Sequence, residues 1–379
     1  MRNPLSKTVM ELEPSGIRRF FDVANTMDNV ISLGVGEPDF DTPWHIREEG
    51  IYSLEKGRTY YTSNAGLLPL RREISRYLHD RFDLPYGPDE ILVTVGGSEA
   101  IDICMRAMLD PGDEVILPEP CFVSYLPCVR MAGGTPVRIS LEEKDEFKLT
   151  GKKLKEAITD KTKILVMPFP NNPTGAIMTA EELQVISDIC KQHDIFVMSD
   201  EIYSELSYKG KHVSIASIPG MAERTIVING FSKSFAMTGW RLGYAAGPKE
   251  IIKQMVKIHQ YIIMSSPTTS QYPAEFREMV IDLAVQLQGK VKDNTPVKTG
   301  HLRNEWHVGS IEKRGNEYYI EVYNNVEYVE PVEYGHQTRG GKGFVKGAHM
   351  MELSLQEVQK HLPGYLREWM NDFLNTHEL

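Results

Sequence analysis

Ile195-Phe196-Val197-Met198-Ser199-Asp200-Glu201-Ile202-Tyr203 is a short apolar run that stops in an acid, with a tyrosine three residues further on. Four apolar residues in a row, bounded by polar ones, read as a strand buried on both faces, the kind that fills a parallel sheet. Upstream, Ile164-Leu165-Val166-Met167 is a second such run, and it leads to the turn Asn171-Asn172-Pro173-Thr174-Gly175. In open parallel sheets, ligands bind at the carboxyl ends of the strands. An aspartate after a strand is most often a helix cap. Here one strand end carries Asp200 and Tyr203 while another presents the Asn172 amide. A carboxylate so placed can pair with a protonated ring nitrogen, and the amide and phenol can hydrogen-bond an oxygen on the same ring.

Further along lies Gly230-Phe231-Ser232-Lys233-Ser234-Phe235-Ala236-Met237-Thr238-Gly239-Trp240-Arg241-Leu242-Gly243. A lysine in apolar surroundings gives up its charge more easily, and the neutral amine is the form that makes an imine with a carbonyl. The arginine eight residues later stays charged and grips phosphate with a planar fork. Alone, the stretch reads equally well as a surface turn with two unrelated bases. Val93-Thr94-Val95-Gly96-Gly97-Ser98-Glu99-Ala100-Ile101 adds a glycine turn opening a helix. Backbone amides at a helix start, with the dipole behind them, bind anions.

Together these residues make residues 10 to 272 resemble the class I/II aminotransferases, the aspartate aminotransferase family of pyridoxal-phosphate fold type I. That resemblance implies a three-layer α/β/α domain with a mostly parallel sheet at residues 40–272, preceded by an N-terminal arm at 1–39. It implies pyridoxal 5'-phosphate as cofactor, an amino acid and a 2-oxo acid as substrates, and a homodimer through the large domain. Position by position, Lys233 becomes the imine-forming lysine and the acid/base that moves the Cα proton. Asp200 keeps the pyridine nitrogen protonated, so that the ring acts as an electron sink. Asn172 and Tyr203 hold the ring oxygen, and Tyr203 joins Lys233 and Asp200 as a catalytic residue. Arg241, Ser232, Gly97, Ser98 and Glu99 bind the phosphate end, and Phe122 stacks on the ring. Tyr61, five residues before Gly66, reaches across the dimer to the neighbour's phosphate. Gly36 and Asn172 touch the substrate.

After Tyr272 the pattern changes. The family's late arginine, which clamps the substrate α-carboxylate, has no counterpart among Arg277, Arg303, Arg314, Arg339 and Arg367, none of which stands in its glycine-then-arginine strand context. Losing a bidentate clamp removes both affinity and orientation, so impaired catalysis is expected. Residues 273–379 read as a separate small α+β module. Phe276, Val280, Leu283, Leu287 and Val291 fall at helical spacing, and Trp306–Ile311 and Tyr318–Tyr323 make a hairpin around Lys313–Asn316. A glycine-rich basic loop at 339–343 and a helix from Met350 towards Phe373 follow. Thr295–Arg303, the two strands and Val332-Glu333-Tyr334-Gly335-His336 resemble the HK97 gp10-like phage tail and head–tail connector proteins. That resemblance implies virion association and ring assembly through this module rather than chemistry.

Bulk properties allow these readings without choosing among them. A chain of 379 residues with 41% hydrophobic content supports two or three packed domains. A net charge of −10 argues against nucleic acid as the main partner. Cys104, Cys121, Cys128 and Cys190 have neither ligand nor disulfide spacing, which suits a reducing cytoplasm. The spacing of His301, His307, His336 and His349 matches no metal-ligand pattern, so no metal is assigned. No run is long enough to span a membrane. Three functions therefore stand: an impaired aminotransferase, a virion assembly protein with an enzyme-like first part, or an artificial join of the two near Tyr272-Pro273.

Overall fold

The computed structural model describes residues 2–14, 36–39, 41–208, 210–274 and 291–292, together with the strands at 306–314, 317–324, 335–337 and 344–346. The chain divides into two compact units, Met1–Trp44 with Gly50–Tyr272, and His45–Glu49 with Pro273–Leu379.

Seven strands make the sheet of the first unit: β1 (Ile91–Thr94), β2 (Glu114–Glu119), β3 (Thr135–Ser140), β4 (Thr162–Met167), β5 (Phe196–Asp200), β6 (Thr225–Gly230) and β7 (Gly243–Ala246). Their order is β1-β7-β6-β5-β4-β2-β3. β7 runs antiparallel to both β1 and β6, and every other pair is parallel. The two apolar runs that defined buried strands in the sequence are β4 and β5. The mostly parallel α/β architecture expected from them is the one observed.

Strand side chains alternate between faces, and both faces are apolar. Val115, Leu117, Ile164, Val166 and Met198 join one buried cluster, while Ile116, Leu165, Met167 and Val197 join another. Helices cover each side. α1 (Leu68–Phe82) precedes the sheet. α2 (Gly96–Met108), α3 (Tyr125–Met131) and α5 (Lys249–Ile262) supply Ala100, Cys104, Val129, Ile252 and Met255 to the first cluster. α4 (Ala180–Gln192) supplies Leu183, Ile186 and Ile189 to the second. Each such side chain removed from water contributes about 1.5–3 kcal/mol, which fixes the strand ends where the polar residues gather.

Local chemistry sets the element boundaries. α4 opens with a reciprocal cap: the Thr179 hydroxyl accepts from the Glu182 N–H, and the Glu182 carboxylate accepts from the Thr179 N–H at 2.8 Å. Gly230 and Gly243 face each other where β6 and β7 pair, and a Cβ on Gly230 would lie 2.8 Å from the Gly243 Cα. Only glycine permits that approach.

In the second unit, β8 (Trp306–Arg314) and β9 (Glu317–Asn324) form the antiparallel hairpin expected from the sequence, paired from Arg314 and Glu317 outward. The pairing carries a register shift between Val308 and Ile311. β10 (Gly335–Gln337) and β11 (Phe344–Lys346) form a second antiparallel pair, flanking the glycine-rich stretch. The stretch at 339–343, most of the helix at 276–291, the connection at 294–303 and the helix from 350 to 373 lie outside the described residues.

Candidate active site

Successive residues at the end of β5 point to opposite faces of the sheet. Asp200 turns towards α3, where its Oδ2 accepts a hydrogen bond of 2.6 Å from the Tyr125 hydroxyl, and its Oδ1 accepts from the Ile202 N–H at 3.2 Å. Glu201 turns the other way, accepting from Ser214 Oγ at 2.6 Å and Ser199 Oγ at 2.9 Å, with His212 Nε2 at 2.9 Å. Burial pushes the Asp200 carboxyl above the ordinary aspartate range, against the pull of the Tyr125 and Ile202 hydrogen bonds. Glu201 ties the following loop to the sheet, whereas Asp200 engages Tyr125 on the opposite face.

The 3₁₀ turn after β5 carries Tyr203. Glu205 anchors that turn to α1, accepting from Tyr77 at 2.6 Å and from both Nε and Nη2 of Arg81 at 3.1 and 2.6 Å. After β4, Asn171 builds the turn: its Oδ1 accepts from the Thr174 N–H and hydroxyl, and its Nδ2 donates to the Pro120 carbonyl. Asn172 is left exposed at the tip, where its amide donates to the Tyr203 hydroxyl at 3.3 Å. Burial and the Asp200 charge both push the Tyr203 phenol up, and the Asn172 amide opposes them.

Lys233 follows the end of β6 and is half-buried. Its Nζ donates to the Gly36 carbonyl and sits 6.0 Å from the centre of the Tyr203 ring. Burial lowers its pKa from the ordinary lysine value, the Glu37 charge opposes that, and the Arg241 charge lowers it further. The segment from Lys233 to Arg241 is strained, with Ala236 at φ 50° and Arg241 at φ 53°. Non-glycine residues in that region each cost about 1–2 kcal/mol. The strain is held by a chain of hydrogen bonds: Thr42 Oγ1 donates to the Ala236 carbonyl, Trp240 Nε1 donates to Thr42 Oγ1 at 3.0 Å, and Ser270 Oγ donates to the Trp240 carbonyl at 2.7 Å.

Arg241 is thereby folded over the glycine turn that opens α2. Gly96 adopts φ +75°, and a Cβ there would lie 2.6 Å from Arg241 Nη2. Gly97 and Ser98 follow in the first helical turn, which no side chain at Val95 caps. The Glu99 carboxylate is engaged elsewhere, accepting from the Val95 N–H at 2.5 Å and lying 2.8 Å from His259 Nδ1. Phe122 packs edge-on to Tyr125 with ring centres 5.7 Å apart. Ser232 is buried beside Lys233, and Tyr61 stands 78% exposed.

Among the residues singled out from sequence, Asp200, Asn172, Tyr203, Lys233 and Gly36 share direct or near contacts, and Arg241 lies against the Gly96 turn. Sequence reasoning passed over Tyr125, Asn171, Thr42 and Trp240. Asn171 and Trp240 lay inside stretches quoted for their neighbours, and Tyr125 lies three residues from Phe122; Thr42, distant in sequence, had no signal. The cysteines take no part: burial pushes the Cys121 thiol up to about 12. Among the described residues no group of histidine, cysteine or acidic side chains is placed to hold a metal ion, and no helix is long and apolar enough to cross a membrane.

The family described as aminotransferase class I and II matches residues 28–276. The chain belongs to that aminotransferase family. Its matched part is 55% identical over 275 residues to the aminotransferase-family protein YugH of Bacillus subtilis, covering 72% of this chain and 71% of YugH. It is 47% identical over 265 residues to an aspartate aminotransferase of Pyrococcus abyssi, covering 69% and 68% of the two chains. Among solved structures, Thermus thermophilus aspartate aminotransferase with maleate superimposes with a TM-score of 0.69 at 36% identity, covering 78% of this aminotransferase chain and 80% of that one. Residues 271–335 match a second family, the bacteriophage HK97-gp10 tail components.

Proposed function

We propose that residues 40–272 form a pyridoxal-phosphate-binding domain that transfers an amino group between an amino acid and a 2-oxo acid. The observation that carries this reading is Lys233: a half-buried amine of lowered pKa that meets the Gly36 carbonyl, close to Tyr203 and within the field of Arg241. The surrounding donor set fits the cofactor. The turn at Gly96 is a cradle that a Cβ would fill, roofed by a guanidinium, which suits a phosphate. Asp200 is a buried carboxyl with raised pKa, suited to share one proton with a basic ring nitrogen. When bound, the cofactor supplies the electron sink that stabilises a carbanion at the substrate Cα.

The residues then divide the work. Lys233, a neutral amine under its lowered pKa, would hold the cofactor through its Nζ and would take and return the substrate Cα proton at that atom. Asp200, held by the Tyr125 hydroxyl, keeps positive charge at the ring nitrogen. Tyr203 and Asn172 would hold the ring oxygen, and Phe122 would cover the ring. Arg241, Ser232 and the amides of Gly97, Ser98 and Glu99 hold the phosphate. Gly36 and Asn172 border the substrate, and Tyr61, exposed in one chain, serves the neighbour's phosphate in a dimer.

Catalysis by this chain is weak in the same reading. The aminotransferase match ends at residue 276, and none of Arg277, Arg303, Arg314, Arg339 or Arg367 beyond it stands in the glycine-then-arginine context of the α-carboxylate clamp. The second reading, a phage tail or head–tail component joined to an enzyme-derived part, rests on the HK97-gp10 match and on the β8–β9 hairpin. Reconstitution with pyridoxal phosphate separates the two. A borohydride-reducible absorption band that Lys233→Ala abolishes supports the first reading, and its absence from the unmodified protein removes it.

A further inference from the structure

Glu99 is an odd neighbour for an anion site, since it carries a negative charge on the same helix start whose amides are offered to the phosphate. Its side chain is folded back so that one carboxylate oxygen accepts the Val95 N–H at 2.5 Å. That bond ties down the N–H of the residue that precedes the helix, as the acid of a capping box does, while Val95 itself supplies no side-chain cap. It leaves the amides of Gly96, Gly97 and Ser98 with no side-chain competitor for an incoming anion. The other carboxylate oxygen lies 2.8 Å from Nδ1 of His259, which reaches it from α5.

His259 is fully buried, on the same helix face as Ile252 and Met255. Its Nε2 is buried as well and has no hydrogen-bond partner. An apolar side chain at this place would fill the core without leaving a ring nitrogen unpaired, so packing alone does not account for an imidazole here. Among the described residues, the one polar contact of the His259 side chain is to Glu99. On the far side of the turn, Gly243 of β7 packs so closely that a Cβ would lie 2.6 Å from the Gly96 carbonyl carbon and 2.7 Å from the Gly97 nitrogen. The turn is thus clamped between β7 beneath it, Arg241 over it and the Glu99–His259 pair behind it.

We propose that Glu99 and His259 are positioning residues for phosphate recognition: a carboxylate–imidazole pair, its imidazole fully buried, that fixes the Val95–Ser98 turn with its amides turned outward. The proposal rests on the reading of this turn as the cofactor's phosphate site. With both carboxylate oxygens engaged, by the Val95 N–H and beside His259 Nδ1, the Glu99 side chain supports the turn from behind instead of turning towards the anion.

The test compares dissociation constants of the full chain for pyridoxal phosphate, for phosphate-free pyridoxal, and for inorganic phosphate as a competitor. In the unmodified protein, Glu99→Ala, Glu99→Gln and His259→Leu, the band at saturation is recorded alongside. Losing a helix-start cap weakens what depends on it by about tenfold. Glu99→Ala and His259→Leu are therefore expected to bind pyridoxal phosphate and phosphate about tenfold more weakly, with pyridoxal affinity and band position unchanged. Glu99→Gln, which still accepts the Val95 N–H, is expected to recover most of the loss. Undiminished phosphate affinity in Glu99→Ala overturns the proposal. So does an equal loss of pyridoxal affinity, which marks general unfolding, or a Glu99→Gln variant as weak as Glu99→Ala. If the unmodified protein forms no band at all, the cofactor reading fails and this one with it; if only the variants behave like the parent, the cofactor reading survives alone.

Discussion

Gly243→Ala places one methyl group where the fold has no room for it. Gly243 pairs with Thr94 of β1 on one side and Gly230 of β6 on the other, directly under the turn that opens α2. The added Cβ would stand 2.6 Å from the Gly96 carbonyl carbon, 2.7 Å from the Gly97 nitrogen and 3.0 Å from the Gly96 Cα, whereas ordinary contact begins near 3.4 Å. All three neighbours are backbone atoms, so no side chain can rotate away, and the turn has to lift by about 0.8 Å. Overpacking of this kind costs about 1–3 kcal/mol. The same shift carries the turn amides out of register with Arg241, whose Nη2 already lies 2.6 Å from the Cβ position of Gly96. Losing one charge-assisted hydrogen bond to a phosphate, worth about 1.5–3 kcal/mol, weakens cofactor binding by roughly ten- to a hundredfold. Urea unfolding of the apo protein and a spectroscopic titration with pyridoxal phosphate measure the two effects. Gly97→Ala is the control: its Cβ would meet only Ile228 Cγ2 at 3.6 Å, and alanine favours a helix, so its unfolding midpoint should equal or exceed that of the parent. A Gly243→Ala protein with unchanged midpoint and affinity refutes the clamped turn, as does a Gly97→Ala protein destabilised to the same extent.

Asp200→Asn tests the buried carboxyl through the pH dependence of apo-protein stability. Because burial raises the folded-state pKa above 3.8, the carboxyl's contribution is fully present below that pH and is lost as pH rises through the folded-state value. Stability of the parent relative to Asp200→Asn should therefore fall from acid towards neutral pH; a difference independent of pH removes the argument. Amino-group transfer from L-aspartate or aromatic amino acids to 2-oxoglutarate should be at least about a thousandfold slower than ordinary for such enzymes, since clamping and water exclusion each contribute several kcal/mol to the barrier. Ordinary turnover in a coupled assay would mean that another group has taken over the carboxylate.

The parts of the fold that were legible in the sequence are those where one physical requirement dominates a contiguous stretch. β4 and β5 are apolar on both faces because helices cover both, and that leaves an unbroken run that needs no alignment to see. Lys233 and Arg241 stood out in the sequence because the proposed imine chemistry and phosphate binding each demand one residue type, and the loop between them fixes their spacing. Adjacent acids at 200 and 201 illustrate the limit. Strand alternation says that they face opposite ways, but only the structure shows that Asp200 meets Tyr125 while Glu201 meets Ser199, His212 and Ser214. β7 was illegible for a different reason. Gly-Tyr-Ala-Ala has little strand preference, and its place between β1 and β6 comes from glycines that let three backbones approach. Thr42 and His259 lie far in sequence from the groups they hold, so their roles exist only once the chain has closed. What a single sequence under-reports at this site is therefore the support rather than the chemistry: the residues that react carry their function in their type, and the residues that position them carry it in their contacts.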